Sequence, residues 1–218
     1  MGREKSDAPT FWIIAGPNGS GKSSLYGSNR DNIYGNTSIL DFFRSFWIIN
    51  PDLLASRIRS NEKLGQRTAN LEAVKRIEAW LDASIKAHQS VGVETVLSTD
   101  KYRRLVKAAK KRGFEVRLVY VILQTPELNV DRVRLRVKKG GHPVPVGKIR
   151  ERWTRSLRQL PWFLNQADAA LIFDNSSDLR LVGRKEHGTT QFDPETPDVL
   201  KRALPGFPWR GPIKKKKR

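Results

Sequence analysis

Cysteine is absent from all 218 residues of the sequence. Its absence excludes a disulfide framework, a thiolate zinc site and a cysteine nucleophile. Long apolar runs are also missing, and none approaches the roughly 20 residues that a membrane-spanning helix needs. The opening segment MGREKSDAPT carries charges but lacks the apolar core of a signal peptide. We therefore expect a cytoplasmic protein without a membrane segment.

Acidic residues are scarce relative to basic ones. The chain has 22 Asp and Glu against 41 Lys and Arg, which gives a net charge of +19. The terminal KKKKR carries only part of this excess, so positive charge is spread along the chain. Such a surface suits non-specific contact with nucleic acid, and it equally suits an enzyme whose donor and acceptor are both anionic. Charge alone does not separate these two interpretations.

Short apolar segments alternate with longer amphipathic ones along most of the chain. The apolar segments are typical of parallel strands covered on both faces; they are residues 11–15, 46–49, 91–97, 115–123 and 169–173. Helical patterns cover residues 66–90, 102–112, a stretch that opens at Thr125, and 146–160, where Pro161 is expected to end the helix. The alternation predicts an α/β fold of three layers around a central parallel sheet of five strands.

The remaining segments define the expected boundaries of the folded domain. Residues 1–10 form an N-terminal extension, and residues 11–182 form the folded domain, with a helical lid at about 138–158. Residues 26–45 are polar and predict a loop with a short helix. Residues 183–218 form a Pro-rich basic tail. That tail is either a partly disordered extension or an arm that contacts nucleic acid or a membrane surface.

The strongest motif directly follows the first predicted strand. It matches G-x-x-x-x-G-K-[ST] and continues by one serine: Gly16, Pro17, Asn18, Gly19, Ser20, Gly21, Lys22, Ser23 and Ser24. Glycines let backbone N–H groups curl around a phosphate, and the following helix adds its positive end. We expect Lys22 to reach the β- and γ-phosphates of ATP or GTP, and the Ser23 hydroxyl to bind Mg²⁺. The motif therefore predicts binding of a nucleoside triphosphate.

Two carboxylates lie where predicted strands end or are interrupted. Asp52 follows the second strand, at the edge where open α/β sheets bind ligands, and it could accept the proton of a substrate hydroxyl. It could equally cap the helix that begins at Leu53. Glu94 interrupts an apolar strand and therefore needs a partner. That partner is a substrate hydroxyl, a water on Mg²⁺ or a nearby arginine.

A basic region follows the fourth predicted strand. Arg132 and Arg136 are four residues apart and share a helical face. The turn GGHPVP, which contains His142, separates them from Arg152. Arginines on a closing lid suit phosphoryl transfer because they neutralise the charge that develops on the phosphates. The region therefore predicts a phosphate-binding lid, although a solvated basic face would show much of the same pattern.

Taken in order, several motifs resemble the zeta toxin family. They are GPNGSGKSS, NPDLLA, ETVLS, RVRLRVKKGGHPVP, IRERW and FDNSS, and the resemblance runs from about residue 11 to residue 182. Members of that family are P-loop kinases, and its characterised toxins phosphorylate the 3′-hydroxyl of the amino sugar of UDP-N-acetylglucosamine. The resemblance implies the same class of anionic nucleotide-sugar substrate here. It also implies that an antitoxin, if there is one, is a separate chain.

The resemblance also implies roles for individual residues. Lys22 resembles the P-loop lysine and Asp52 the catalytic base, while Glu94 and Thr95 resemble residues that contact the sugar. Arg132 or Arg136 would be one phosphate-binding arginine. Either Arg152 or His142 would take the second position on the lid, and the sequence does not choose between them. Asn175 would lie near the nucleotide base. Residues 26–45 match no part of the family pattern, so the sugar pocket is the least constrained part of the prediction.

Two other functions fit the same sequence. The first is a small P-loop kinase that acts on a nucleic-acid end or on another small hydroxyl substrate, which the net charge favours. The second is a nucleotide-dependent regulatory module that binds nucleic acid through its basic tail. A requirement for Asp52 discriminates between them, since only a kinase needs a base.

Overall fold

The computed structural model describes residues 8–27 and 48–207. These residues form one seven-stranded sheet with the order β2-β3-β1-β4-β5-β6-β7. The strands are β1 Thr10–Ala15, β2 Ile48–Ile49, β3 Val91–Thr95, β4 Glu115–Ile122, β5 Ala169–Asp174, β6 Arg180–Glu186 and β7 Thr189–Phe192. The helices are α1 Lys22–Gly27, α2 Pro51–Glu62, α3 Gln66–Lys86, α4 Arg103–Lys111, α5 Pro126–Lys138, α6 Val146–Gln166 and α7 Asp198–Ala203.

The predicted α/β fold with a five-stranded parallel sheet is confirmed. Strands β1 to β5 pair in parallel, with β1 between β3 and β4. Strands β6 and β7 then extend the sheet in antiparallel fashion. Their direction follows from short connections, since an antiparallel neighbour needs only a turn whereas a parallel one needs a crossover helix. Sequence analysis did not identify these two strands.

Alternating side chains give the sheet two buried faces. On β1, Phe11, Ile13 and Ala15 join the larger core, which includes buried residues of α3, α4 and α6. Trp12 and Ile14 point to the opposite face and pack in a smaller core with Leu25 of α1. Strands buried on both faces lose the polar alternation of an exposed sheet. This burial explains why the strands read as continuous apolar runs.

Several predicted boundaries shift by a few residues. The third strand ends at Thr95 rather than at residue 97, because Leu97 has a left-handed φ of 57° and turns the chain. Helix α6 does not stop at Pro161 but continues to Gln166. Proline removes one backbone donor, yet Leu160, Phe163 and Leu164 are buried around it and hold the last turns in place. Residues 46–47, and 28–45 of the predicted loop, lie outside the described residues.

The first part of the predicted tail is folded. Strand β6 crosses the boundary expected between residues 182 and 183. Phe192, Leu200 and Leu204 are fully buried in the larger core, so residues 183–207 belong to the domain. Residues 208–218 lie outside the described residues. None of the described helices combines the length and the apolar character that a membrane span requires.

Candidate active site

The G-x-x-x-x-G-K-[ST] motif forms the loop between β1 and α1, at the carboxyl edge of the parallel strands. Gly16 has a φ of 143°, and a Cβ there would lie 2.1 Å from the backbone oxygen of Val121. Gly21 has a φ of 96°, and a Cβ there would lie 2.4 Å from Nδ2 of Asn175. Side chains rarely adopt such backbone angles, so glycine is required at both positions. The loop therefore has the geometry expected of a phosphate cradle.

Three neighbouring elements hold the loop in place. Asn129 of α5 is fully buried, and its Nδ2 donates to the backbone oxygen of Asn18 at 2.6 Å. Asn175, just after β5, donates from Nδ2 to the backbone oxygen of Ser20 at 2.8 Å. The N–H of Gly16 donates to the backbone oxygen of Thr95 at 3.2 Å. The loop is thus fixed from both sides before any phosphate binds.

Lys22 is the buried cation of this loop. Its Nζ donates to the backbone oxygens of Gly16 at 2.7 Å and Pro17 at 3.0 Å, and it lies 3.9 Å from Oε1 of Glu94. Burial lowers the pKa of Lys22 below its ordinary value; nearby Glu94 and Asp52 oppose this shift, whereas Arg136 adds to it. The ammonium group is held at the mouth of the loop by bonds to backbone oxygens. Phosphate oxygens could replace those partners.

Glu94 joins the loop to the second strand. Its Oε2 accepts from the Ser23 hydroxyl at 2.9 Å and from Nδ2 of Asn50 at 2.8 Å. Its side chain is only 12% exposed. The charge inside the predicted strand therefore has the partners that burial demands. Ser23 and Lys22 supply them from the P-loop, and Asn50 supplies one from the start of α2.

Asp52 lies in the first turn of α2 and is exposed to solvent. It is not the cap of that helix, which was one of its two possible roles. Asn50 is the cap: its Oδ1 accepts from the N–H groups of Asp52 at 2.9 Å and Leu53 at 3.1 Å. Pro51 then occupies the first turn, where its missing N–H costs nothing. The Asp52 carboxylate is left available for a ligand.

Thr95 shapes the turn after β3. Its Oγ1 accepts from the N–H of Leu97 at 3.0 Å, while its backbone oxygen holds Gly16. Ser24, the last residue of the motif, is exposed and continues helix α1. Both residues therefore border the loop.

Three arginines of the basic region were candidates for phosphate binding, and they have different surroundings. Arg132 donates to the backbone oxygen of Asn175 at 2.5 Å, on the side of the loop that β5 borders. Arg136 donates to the backbone oxygen of His142 at 2.9 Å, and its charge acts on Lys22. Nη1 of Arg152 lies 3.4 Å from Oδ1 of Asn18 in the P-loop. All three are thus placed around the loop.

His142 has a different environment from Arg152. Its side chain is exposed, and its backbone oxygen is what Arg136 binds. Of the two residues that the sequence left open for the second lid position, Arg152 is the one that contacts the P-loop. Trp153 anchors that part of α6, because its Nε1 donates to the backbone oxygen of Leu123 after β4 at 3.1 Å.

The residues present fit a Mg²⁺ ion bound together with a nucleotide. In residues 8–27 and 48–207, no group of three His, Asp or Glu side chains could hold a metal by itself. Mg²⁺ in phosphoryl-transfer sites usually needs only one or two protein oxygens, since phosphates and water supply the rest. The Ser23 hydroxyl and the carboxylate of Glu94 are 2.9 Å apart and meet that requirement.

Two cavities flank helix α5. One of about 480 Å³ is lined by Arg132, Arg136, Lys139 and the two glycines at 140–141, and it adjoins the proposed site. The other, of about 580 Å³, is mostly apolar and lies between α5 and α6. It contains none of the site residues discussed above. The basic cavity is therefore the one relevant to phosphate chemistry.

Asn50 and Asn129 are site residues that sequence analysis did not identify as such. Asn50 had a recognisable signal, because Asn followed by Pro at the end of a strand is a common helix start. Asn129 had none, since its partner Asn18 is 111 residues away in the chain. Only the packing of α5 against the loop reveals its role.

Comparisons with known proteins bear on the family and on the fold. The sequence profile of the zeta toxin family matches residues 2–186. A protein of Haemophilus influenzae described as uncharacterized is 30% identical over 141 residues, which are 65% of this chain and 90% of that protein.

Two solved structures share the fold at low sequence identity. The PezAT toxin–antitoxin system of Streptococcus pneumoniae contains a chain that is 20% identical, with a TM-score of 0.60; the match covers 96% of this chain and 83% of that one. The AvrRxo1-ORF1:-ORF2 complex with ATP contains a chain that is 17% identical, with a TM-score of 0.65; the match covers 94% of this chain and 66% of that one.

Proposed function

This chain belongs to the zeta toxin family, and on that premise we propose that it is a Mg²⁺-dependent phosphotransferase that uses ATP or GTP. We propose that its acceptor is the 3′-hydroxyl of the amino sugar of UDP-N-acetylglucosamine or of a related nucleotide-sugar. The observation that carries the proposal is the meeting of Lys22, Glu94 and Asp52 at one edge of the sheet. Donor-binding and acceptor-binding groups are there within reach of one another.

In the proposed reaction, the carboxylate of Asp52 accepts the proton of the sugar hydroxyl. The hydroxyl oxygen forms a bond to the γ-phosphorus, the bond from that phosphorus to the β–γ bridging oxygen breaks, and the nucleoside diphosphate leaves. Lys22 and the arginines 132, 136 and 152 stabilise the charge on the phosphoryl oxygens. Ser23, with Glu94 beside it, would hold Mg²⁺, which supplies further charge neutralisation when it is bound.

The substrate assignments are proposals for specific residues. Glu94 and Thr95 lie at the end of β3 and are proposed to face the sugar. Glu94 is bonded to Asn50 at the start of α2, the helix whose first turn carries Asp52. Asn175 is proposed to lie near the nucleotide base, because it already contacts the P-loop at Ser20. A separate antitoxin chain is a proposed partner, supported by the toxin–antitoxin system that contains the similar PezAT chain.

The test of the proposed function is a transfer assay that identifies the product. Purified protein is incubated with Mg²⁺, UDP-N-acetylglucosamine and either ATP or GTP, and the product is read by mass and by NMR. We expect one added phosphate on the 3′-oxygen of the sugar. Asp52→Asn is the control, and we expect a loss of about 10²–10⁴-fold because the variant lacks the base. Hydrolysis of triphosphate without a phosphorylated sugar would refute the proposed acceptor.

A second candidate function rests on helix α4. The segment KYRRLVKAAKKR at residues 101–112 contains no acidic residue. Lys107, Lys111 and Arg112 are exposed, whereas Arg104 and Lys110 are occupied by ion pairs with acidic residues of neighbouring segments. A row of cations without acidic residues suits the phosphates of a nucleic acid. The same chain could therefore bind nucleic acid as a substrate end or non-specifically.

Binding of a labelled single-stranded RNA, measured over a series of salt concentrations, tests this second candidate. The double variant Lys107→Ala/Lys111→Ala should bind more weakly and with a smaller salt slope, because each lost phosphate contact reduces the slope. The control Arg67→Ala/Lys75→Ala removes the same charge from exposed positions of α3. Equal losses in both variants would mean that only net charge matters.

A further inference from the structure

Asn50 is bonded to both halves of the proposed active site. Its Oδ1 caps α2 by accepting from the N–H groups of Asp52 and Leu53. Its Nδ2 donates to Oε2 of Glu94 at 2.8 Å. One amide therefore connects the helix that carries the proposed base with a carboxylate of the neighbouring strand. None of the site roles discussed so far requires this second bond.

Glu94 extends the connection to the P-loop. The oxygen that accepts from Asn50 also accepts from the Ser23 hydroxyl at 2.9 Å, and the other oxygen lies 3.9 Å from Nζ of Lys22. The chain of contacts thus runs from the Asp52 backbone through Asn50 and Glu94 to the donor-binding groups. The bond between Asn50 and Glu94 is partly shielded from water, which strengthens it and lets it constrain the geometry.

We propose that Asn50 is a positioning residue that sets the orientation of the Glu94 carboxylate, and through it that of the Ser23 hydroxyl, relative to Asp52. This inference rests on the phosphotransferase function proposed above. An amide suits the position because it offers an acceptor to the helix and a donor to the carboxylate at once. Aspartate would cap the helix equally well but would place a second negative charge against Glu94.

Helix capping and carboxylate orientation can be separated by substitution. Asn50→Ser keeps a good helix cap but lacks the amide that reaches Glu94. If Asn50 only caps α2, Asn50→Ser should match the wild type in stability and in activity. If it positions Glu94, the variant should keep its stability and lose activity. Partners of metal-binding groups typically change activity by about 10–100-fold when they are removed.

The experiment compares wild type, Asn50→Ser, Asn50→Asp and the control Asn61→Ser, an exposed asparagine in the last turn of α2. It measures kcat, KM for each substrate, the Mg²⁺ concentration for half-maximal rate, and the melting temperature. For Asn50→Ser we expect a kcat lower by about tenfold or more, a raised Mg²⁺ requirement and an unchanged melting temperature. For Asn50→Asp we also expect a lower kcat at an unchanged melting temperature, because aspartate caps the helix but lacks the N–H donor that holds Glu94.

Two results would overturn the inference. One is an Asn50→Ser variant with the activity and Mg²⁺ requirement of the wild type. The other is a loss of activity that is matched by a lower melting temperature, which would make Asn50 a structural cap. Absence of transfer by the wild type is a distinct result: it would remove the proposed function and this inference with it. Asn61→Ser should match the wild type throughout.

Discussion

Two buried lysines in this protein have similar surroundings and different proposed roles. Lys22 donates to the backbone oxygens of Gly16 and Pro17, and Lys185 of β6 donates to those of Leu164 at 2.9 Å and Asn165 at 3.0 Å. Burial lowers the pKa of both. Lys185 satisfies the last carbonyls of α6, where a cation suits the helix end. A buried lysine with a shifted pKa is thus not by itself a sign of catalysis.

The two lysines differ in the direction of the strands beside them. Lys22 follows a parallel strand, and the carboxyl ends of its parallel neighbours bring Glu94 and the start of α2 to the same edge. Lys185 lies on an antiparallel strand that the chain reaches through a short connection. Parallel strands collect their loops at one edge, where ligands bind, and antiparallel strands do not. Lys22 therefore has a carboxylate of the proposed site beside it, whereas Lys185 contacts the backbone at the end of α6.

The sharpest test of this comparison is Lys22→Met. We expect transfer to fall by about 10³-fold, since a charge aimed at the developing phosphoryl charge is lost. The protein should remain folded, because the larger core does not include this side chain. Product formation and circular dichroism measure the two effects. Substantial residual transfer would remove Lys22 from the proposed mechanism.

A second test compares Arg152→Ala with His142→Ala. It asks whether a lid residue must contact the P-loop in order to contribute to phosphoryl transfer. Arg152 reaches Asn18, whereas the His142 side chain is exposed. We expect transfer to fall by about 10²-fold in Arg152→Ala and by less than about threefold in His142→Ala. Steady-state rates at saturating substrates measure both. The reverse order would assign the second lid position to His142.

Lys185→Met should affect stability rather than transfer. The variant leaves the backbone oxygens of Leu164 and Asn165 without their charged donor, which costs about 1.5–3 kcal/mol in the free energy of unfolding. Its kcat at a temperature where it is folded should equal that of the wild type. Urea unfolding gives the first quantity and the transfer assay the second. A kcat of Lys185→Met well below that of the wild type would contradict the difference proposed between Lys185 and Lys22.

The smallest expected effect is a pH dependence of stability. The folded-state pKa of Lys22 lies below 10.5 because the side chain is buried. Between that pKa and 10.5 the unfolded chain holds more protons than the folded one, so the free energy of unfolding rises with pH. Lys22→Met lacks this contribution. The free energy of unfolding is measured for the wild type and for Lys22→Met from pH 7 to pH 10. The wild-type value minus the variant value should therefore increase as the pH rises.

Much of the fold could be predicted from local patterns in the sequence. Strands buried on both faces, such as β1 and β4, appear as unbroken apolar runs. Strands β6 and β7 were not identified, because RLVGRKE and TTQF contain too many polar residues to suggest a strand. Their pairing depends on Gly183, which lies opposite Phe192 and leaves room for its ring. That contact exists only in the folded sheet.

Some features of the candidate site could likewise be predicted from the sequence, and others could not. The P-loop was predictable because its glycines, lysine and serine are adjacent in the sequence. The helix-cap role that was considered for Asp52 was wrong, because Asn50 accepts the bonds that a cap accepts. The choice between Arg152 and His142 could not be made from spacing, since both lie in the same basic region. It depends on how α6 packs beside the P-loop.

The sequence by itself determined the parallel sheet, the P-loop and the order of the motifs that resemble the zeta toxin family. These features depend on residues close together in the chain, where hydrophobic period and turn chemistry act. Only the tertiary structure decided which side chains share the sheet edge. Asn50 and Glu94 are 44 residues apart, and Ser23 and Glu94 are 71 residues apart. Parallel pairing of β2, β3 and β1 aligns their carboxyl ends, and that alignment brings these three residues into hydrogen-bonding contact.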